Sequence, residues 1–267
     1  MSDPKIAADT MRTVRFHSYG EPADVLRMDR EVIPSPAAGR IRILVHACGL
    51  NPADWALCRG LFAGDLPRGI GLEVSGLVKA VGVDVTDVSV GDRVLGTADY
   101  AGCTSAGASD YAIMNHWTRI PAGLDLVDAA ALPMAVETAF RSLDNLGVAT
   151  GNTLLVHGAG TTVGFAAVQI ALMRGARVFA TDPRHVFTIT DFAAAQALGV
   201  RHSFGEDATL RYDVLGDFAQ RAADGKFTVP VAQTFALEDW RAALHLSQSG
   251  HAHGKLLLLT AGKVVSG

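Results

Sequence analysis

Three glycines, Gly158, Gly160 and Gly164, stand in "VHGAGTTVG", where an apolar run gives way to an Ala-rich one. A G-x-G-x-x-x-G turn between a strand and a helix can let the backbone close on a pyrophosphate, an anion that the helix N-terminus favours electrostatically. Asp182 ends the next apolar run, "ARVFATD", where a carboxylate can hold a ribose hydroxyl pair. Glycines alone can equally make a tight structural turn. A strand before, a helix after and an acid at the next strand end together favour a dinucleotide site.

The elements around this turn are readable from pattern. "NTLLVHG", "TVGFAAVQIALMRG" and "ARVFATD" are strand, helix and strand, one βαβ unit. Upstream, "DAAALPMAVETAFRSLDNLG" predicts a helix opened by Asp128 as N-cap and ended by Gly147, with Pro133 a possible interruption. Residues 11 to about 125 carry short β-type runs between Gly and Pro, among them "RIRILVHACGL" and "GLEVSGLVKAVG". The alternation in "GVDVTDVSVGDRV" predicts a half-buried strand or pair of strands. After Gly225 come "KFTVPVAQTF", a helix around "LEDWRAALHLSQSG" and a last strand "KLLLLT". The first ten residues read as a loose extension.

Bulk properties narrow the function classes. With 49% hydrophobic and 19% charged residues over 267 positions, the chain can bury a large core, which argues against disorder. A net charge of -4 gives no electrostatic reason to expect nucleic acid or an anionic membrane as partner. No apolar run approaches the ~18 residues of a spanning helix, and the polar start does not resemble a secretion signal. Cys48, Cys58 and Cys103 lack metal-ligand pairing, and the nine histidines are scattered. The expectation is a soluble, cytoplasmic protein acting on a small molecule.

The order of the motifs "MRTVRFHSYGEPADVL", "GLNPADW", "GLEVSGLVKAVG", "VGDRV", "AAALPMAVETA", "LLVHGAGTTVGFAAVQIA" and "SGHAHGKLLLL" resembles one family. It is that of the medium-chain dehydrogenase/reductases, in their zinc-independent, quinone-oxidoreductase-like (zeta-crystallin-like) branch. The resemblance implies an α/β fold with two parts. A GroES-like β-barrel catalytic domain spans 11–127 and is completed by 227–267. A Rossmann-type doubly wound nucleotide-binding domain spans 128–226. The implied activity is NAD(P)H-dependent reduction of a quinone, enone or enoyl-type double bond.

The resemblance also assigns roles. It implies no catalytic metal, because Asn51 and Leu72 stand where zinc-dependent relatives carry cysteine and histidine, and a catalytic zinc needs three protein ligands. Asn51 is expected to orient cofactor or substrate, or else to cap the turn before Pro52. Asp54 is expected to relay a proton, or else to be an exposed turn acid. No tyrosine or lysine donor follows this motif, where Ala56 stands, so the catalytic group is left open between Asn51 and Asp54. Trp55 and Thr138 are expected at the substrate pocket, Trp55 more often packing. Thr138 is also expected at the cofactor, its alternative being helix back-bonding. Cofactor contacts are expected from Asn51, Thr138, Gly158, Gly160, Thr161, Thr162, Val163, Asp182, Arg184, Ile189 and Lys255. Thr161 and Thr162 replace a Gly-Gly pair found in many relatives. Asp182 repels a 2′-phosphate whereas Arg184 pairs with one, and the family inclines the balance to NADPH, with NADH possible.

The largest departure is a short join. Only Pro183, Arg184 and His185 separate "ARVFATD" from "VFTIT", where the family has two further strand-helix units. The nucleotide-binding domain is therefore expected to be reduced in strand number, shortened around 182–186. Two such short-joined segments cannot be parallel neighbours in one sheet. This keeps open a second function, a non-redox descendant working as a cyclase- or dehydratase-like biosynthetic catalyst or a binding protein. A homodimer is expected through Val200–Phe204 pairing antiparallel with its copy.

Overall fold

The computed structural model describes residues 9–178, 187–188, 201–202 and 209–260. It begins with an antiparallel pair, β1 (Thr10–Phe16) and β2 (Leu26–Val32), joined through the single-turn helix α1 (Pro22–Val25). The short β4 (Arg68–Gly69) lies on the other edge of β1.

A barrel follows. β3 (Ile41–Leu50), β5 (Glu73–Val81), β6 (Arg93–Ala98) and β7 (Tyr111–Arg119) pair antiparallel in that order. β7 then returns to β3, with Ile41–Leu44 against Tyr111–Met114, and closes the ring. The first half of β3 alternates strictly: Ile41, Ile43 and Val45 point into the core while their neighbours are half-exposed. β-branched residues at a two-residue period suit a sheet with one buried face.

The chain end returns to this barrel. β12 (Val231–Ala236), a helix at Trp240–Ser249 and β13 (Lys255–Leu259) make a crossover in which β12 and β13 are parallel. β13 lies antiparallel on the second half of β3, so strands some 200 residues apart share one sheet.

The helical unit has its own core. α3 (Leu126–Ala130), α4 (Pro133–Leu146), α5 (Thr162–Met173) and α6 (Leu215–Ala223) are the helices around it, and the helix at Trp240–Ser249 is α7. Its buried residues include Leu143 of α4, Ile170 of α5 and Phe218 of α6. Beside α5, β8 (Thr153–Leu154) and β9 (Arg177–Val178) pair in parallel, as the βαβ reading requires.

Two sequence expectations are corrected. Asp128 does not cap a long helix; Asp125 caps α3, its Oδ1 accepting from Asp128 N at 2.8 Å. Pro133 then opens α4 at its first turn, where a missing N–H costs nothing. Gly147 ends α4 in the left-handed conformation, as expected. The alternating "GVDVTDVSVGDRV" is a loop up to Arg93, with Val83 and Val90 exposed and Val88 its buried anchor. Asp84 and Gly91 have φ of 70° and 99°, turn conformations that a strand does not accept.

β10 (Phe187–Thr188) pairs in parallel with β11 (Arg201–His202), and among the described residues not with β9. The join at 183–185 lies outside the described residues. So does most of the Val200–Phe204 segment expected at a dimer interface.

Candidate active site

The residues expected to do chemistry fall into two places. The first is the glycine turn between β8 and α5. Gly158 has φ of 79°, a conformation that favours glycine. Gly164 lets the helix start close on the turn, because a Cβ there would run into Gly158 O. Thr161 is the N-cap: its hydroxyl accepts from Gly164 N at 3.1 Å and donates to Gly158 O at 2.8 Å. The threonine at this position thus does local work that a glycine could not. Among the described residues nothing accepts from the amides of Thr162 and Val163, the first two of the helix. They remain as anion-directed donors.

Gly160 differs from the other two. Among the described residues a Cβ on it would meet nothing within 4 Å, and its φ lies outside the left-handed region. Neither packing nor backbone conformation requires a glycine at this exposed position. The chain leaves an open cradle beside free amides, which fits the approach of a phosphate group from outside. The reverse holds at Gly164. Changing Gly164 to alanine is expected to cost about 1–3 kcal/mol by overpacking. Thermal unfolding checks this, and an unchanged melting temperature would contradict the close approach.

The second place is a buried polar network at the mouth of the barrel. Glu73, the first residue of β5, is fully buried and ion-paired with Lys255, the first residue of β13. Asn51, at the end of β3, bridges them: Nδ2 donates to Glu73 Oε1 at 2.9 Å, and Oδ1 accepts from Lys255 Nζ at 2.7 Å. The other Glu73 oxygen accepts from Met134 N at 2.8 Å, in the first turn of α4. A carboxylate at a helix N-terminus is favoured by the exposed N–H groups and the helix dipole. Barrel, C-terminal strand and helical unit therefore meet on one carboxylate.

Asn51 and Lys255 are brought together, but their side chains are largely occupied. Lys255 is only 2% exposed and its ammonium is directed to Glu73 and Asn51, so the expected direct cofactor contact is corrected to a supporting position behind Asn51. Asn51 is 7% exposed and keeps one N–H and one lone pair for anything else. The network was not anticipated; Glu73 sits in the quoted "GLEVSG", but an acid in a strand does not announce its partners.

Asp54 is not an exposed turn acid. It is fully buried in α2 (Pro52–Cys58), with Oδ2 accepting from Asn51 N at 2.8 Å and Oδ1 from Gly71 N at 2.6 Å. Both oxygens are tied to backbone, so the carboxyl caps α2 and pins the Gly71 turn. Burial pushes its pKa up to about 7, against the lowering effect of the two N–H donors. The raised folded value makes stability greatest below the ordinary aspartate range and lost as pH rises through 7. We expect the unfolding free energy to fall by up to about 4 kcal/mol between pH 4 and 8. Asp54→Asn is expected to flatten this slope while lowering stability at pH 4, since one amide oxygen cannot serve two N–H groups. Denaturant melts across pH check it, and an unchanged slope in the variant would refute it.

Trp55 is a core residue rather than a pocket wall, with Nε1 donating to Ser247 Oγ of α7 at 2.8 Å. Cys48 and Cys58 are buried thiols whose pKa values desolvation raises, Cys58 up to about 12. Thr138 is half-exposed one turn into α4. Its hydroxyl lies 3.4 Å from Glu137 Oε2 and does not back-bond; Ser142 does, to Thr138 O. Glu137 is itself held by Arg141 at 2.6 Å and accepts from Arg211 N at 3.2 Å. α4, which packs on α5, thus links the glycine turn's helix to the barrel network. Asp182, Arg184 and Ile189 lie outside the described residues.

Comparison with known proteins agrees with this geometry. Residues 37–124 match the family profile "Alcohol dehydrogenase GroES-like domain" and residues 136–258 match "Zinc-binding dehydrogenase". The quinone oxidoreductase of Lama guanicoe is 38% identical over 167 residues, covering 60% of this chain and 49% of the relative. The human quinone oxidoreductase is 34% identical over 177 residues, covering 64% of this chain and 52% of the relative. The chain thus spans about half the length of these relatives. The solved quinone oxidoreductase of Coxiella burnetii superposes with a TM-score of 0.81 at 22% identity, over 94% of this chain and all of that one, a likeness of fold.

The second profile's description names zinc. Among the described residues no group of three or more His, Cys, Asp or Glu is disposed to hold a metal ion. Leu72 is buried, and the Asn51 amide is bonded to Lys255, so these residues do not fit a catalytic zinc. Among the described residues no helix is long and apolar enough to cross a membrane. A closed antiparallel barrel joined by the C-terminal strand, a βαβ glycine turn and two consecutive family profiles lead to one conclusion: the chain belongs to the medium-chain dehydrogenase/reductase superfamily, in its quinone-oxidoreductase-like branch.

Proposed function

We propose that this protein is an NAD(P)H-dependent reductase of a quinone, enone or enoyl-type double bond, with NADPH the favoured cofactor. The observation that carries the reading is the open cradle at Gly160 beside the unpaired amides of Thr162 and Val163. A dinucleotide pyrophosphate is an anion of the right kind for that position. A bound reduced nicotinamide supplies a hydride to the substrate. The chain's own part is binding and placement: Gly160, Thr162 and Val163 hold phosphate through backbone, and Thr161 keeps the helix start in form. Asn51, fixed by Glu73 and Lys255, offers its remaining N–H to an oxygen at the mouth of the barrel. The half-exposed Thr138 hydroxyl stands on the helix that the same network anchors.

A second reading is favoured by one observation. Only Pro183, Arg184 and His185 separate "ARVFATD" from "VFTIT" in the sequence, where the family has two further strand-helix units. A descendant with a weakened cofactor cleft and a non-redox catalytic or binding role accounts for that. Titration with NADPH followed by fluorescence, then NADPH consumption on a panel of quinones and enones, separates the two. Binding with turnover supports the reductase; no binding at millimolar cofactor overturns it.

A further inference from the structure

Arg68, the first residue of β4, is only 5% exposed, yet among the described residues no carboxylate is paired with it. Its one side-chain hydrogen bond runs from Nη1 to Phe62 O at 2.5 Å. It stands opposite Phe16 of β1, so the two side chains share a face of that strand pair. The Tyr19 ring packs on Phe16 with centroids 5.9 Å apart. The Tyr19 hydroxyl accepts from Gly64 N and donates to Gly64 O, each at 2.7 Å. A Cβ on Gly64 would lie 3.8 Å from Arg68 Nη1, so the chain at 62–64 passes directly beside the guanidinium. On the other side, Gly69 is packed so closely that a Cβ would strike Ala106 N. The arginine is thus held between two irregular segments at one edge of the barrel.

The unused edge of Arg68, Nε with Nη2, is the edge that this chain uses elsewhere to hold carboxylates. Arg59, at the end of α2, donates from Nε and Nη2 to the two oxygens of Glu21 at 2.9 and 2.8 Å. Arg211 grips Asp213 through the same two nitrogens at 2.9 and 3.0 Å. Two parallel N–H groups match the two oxygens of a planar carboxylate. Arg68 is more buried than either of those arginines, and a cation taken out of water is seldom kept without a counter-charge. Its fork is not sealed off: the fully enclosed side-chain atoms without a hydrogen-bond partner are Glu31 Oε2 and Arg42 Nε. The surface around it is apolar, with Tyr19, Phe62 and Leu66 all exposed.

We propose that the Nε–Nη2 fork of Arg68 binds the carboxylate of a small organic acid whose apolar or aromatic body lies against Tyr19 and Phe62. Both carboxylate oxygens are held at once, and the ligand brings the counter-charge that the fold leaves out. Nη1 stays on Phe62 O, so the chain at 62–64 keeps its place when the acid binds. A neutral amide of the same shape offers one acceptor and no charge. Inorganic phosphate has the charge but no body for the exposed rings. The site takes no part of the glycine turn, and neither cofactor binding nor hydride transfer enters the proposal.

The test titrates benzoate into wild type, Arg68→Lys and Arg68→Met at constant ionic strength, followed by ligand-observed NMR. The benzoate dissociation constant is expected to rise by about 10-fold or more in Arg68→Met. Arg68→Lys, which keeps the charge and loses the fork, is expected to fall between the two. Benzamide is expected to bind wild type at least about 10-fold more weakly than benzoate. Benzoate affinity that is the same in all three proteins, or absent in wild type, overturns the proposal. So does benzamide binding as well as benzoate. Phosphate that displaces benzoate and binds more tightly overturns the assignment to a carboxylate. Should both variants melt early, wild-type crystals soaked in 4-bromobenzoate decide. Carboxylate oxygens in hydrogen-bond distance of Arg68 Nε and Nη2, with the bromine located by its anomalous scattering, support the site; bromine elsewhere or nowhere overturns it.

Discussion

Glu73→Ala is expected to lower the melting temperature by about 6–20 °C, the largest stability effect of any single change at the site. The figure follows from about 3–5 kcal/mol for breaking a buried ion pair and about 2–4 °C per kcal/mol for a chain of this size. The loss is not the strength of one bond. It strands Lys255 as a buried charge, leaves Met134 N without its acceptor and frees the Asn51 amide. If that account is right, Lys255→Met added to the same variant restores part of the stability, because the uncompensated ammonium is gone. Calorimetric melts of both single variants and the double check this. Equal, additive losses would show that the three residues act independently and that the carboxylate is not their common anchor. The variant also tests coupling: α4 loses its N-terminal acceptor, so NADPH affinity should fall along with stability.

Gly160→Trp is expected to separate binding from folding in the opposite way. Among the described residues nothing lies within 4 Å of a Cβ at this position and its backbone needs no glycine, so the melting temperature should hold. The indole would fill the cradle in front of Thr162 and Val163, and the NADPH dissociation constant should rise by about 100-fold, or about 2.7 kcal/mol. Fluorescence titration reads this directly. Unchanged affinity would mean that the phosphates lie elsewhere and would remove the observation on which the reductase reading stands. Together with Gly164→Ala, which should damage folding, the pair assigns different duties to two glycines of one turn.

That contrast shows how far the sequence carries. The glycine turn, its strand and its helix were legible because each is a local pattern: β-type residues, then turn formers, then a helical run. Local patterns failed where they were ambiguous. "GVDVTDVSVGDRV" has the period of a strand, yet its Gly and Asp positions bend the chain before a ladder can form. Asp128 and Asp125 are equally good caps by type, and the hydrogen bond selects Asp125. Asp54 had the look of a turn acid because α2 opens with Asn-Pro; only the Gly71 turn, folded over it, makes it a buried one.

By itself the sequence determined the order of the elements, the glycine turn between strand and helix, the family and the residues of the "GLNPADW" motif. Which of those side chains remain available was decided by tertiary structure. Asn51, Glu73 and Lys255 converge because β3 stands between β5 and β13, and the last of them comes from 204 residues beyond the first. Tyr212 meets His116, and its neighbour Arg211 meets the α4 carboxylate, only once α6 and its leading turn have packed on the helical core. The physical reason is common to both cases. A buried charge or hydroxyl is fixed by partners that must leave water together, and those partners are chosen by strand register and helix docking. Neither register nor docking is written in the spacing of neighbouring residues.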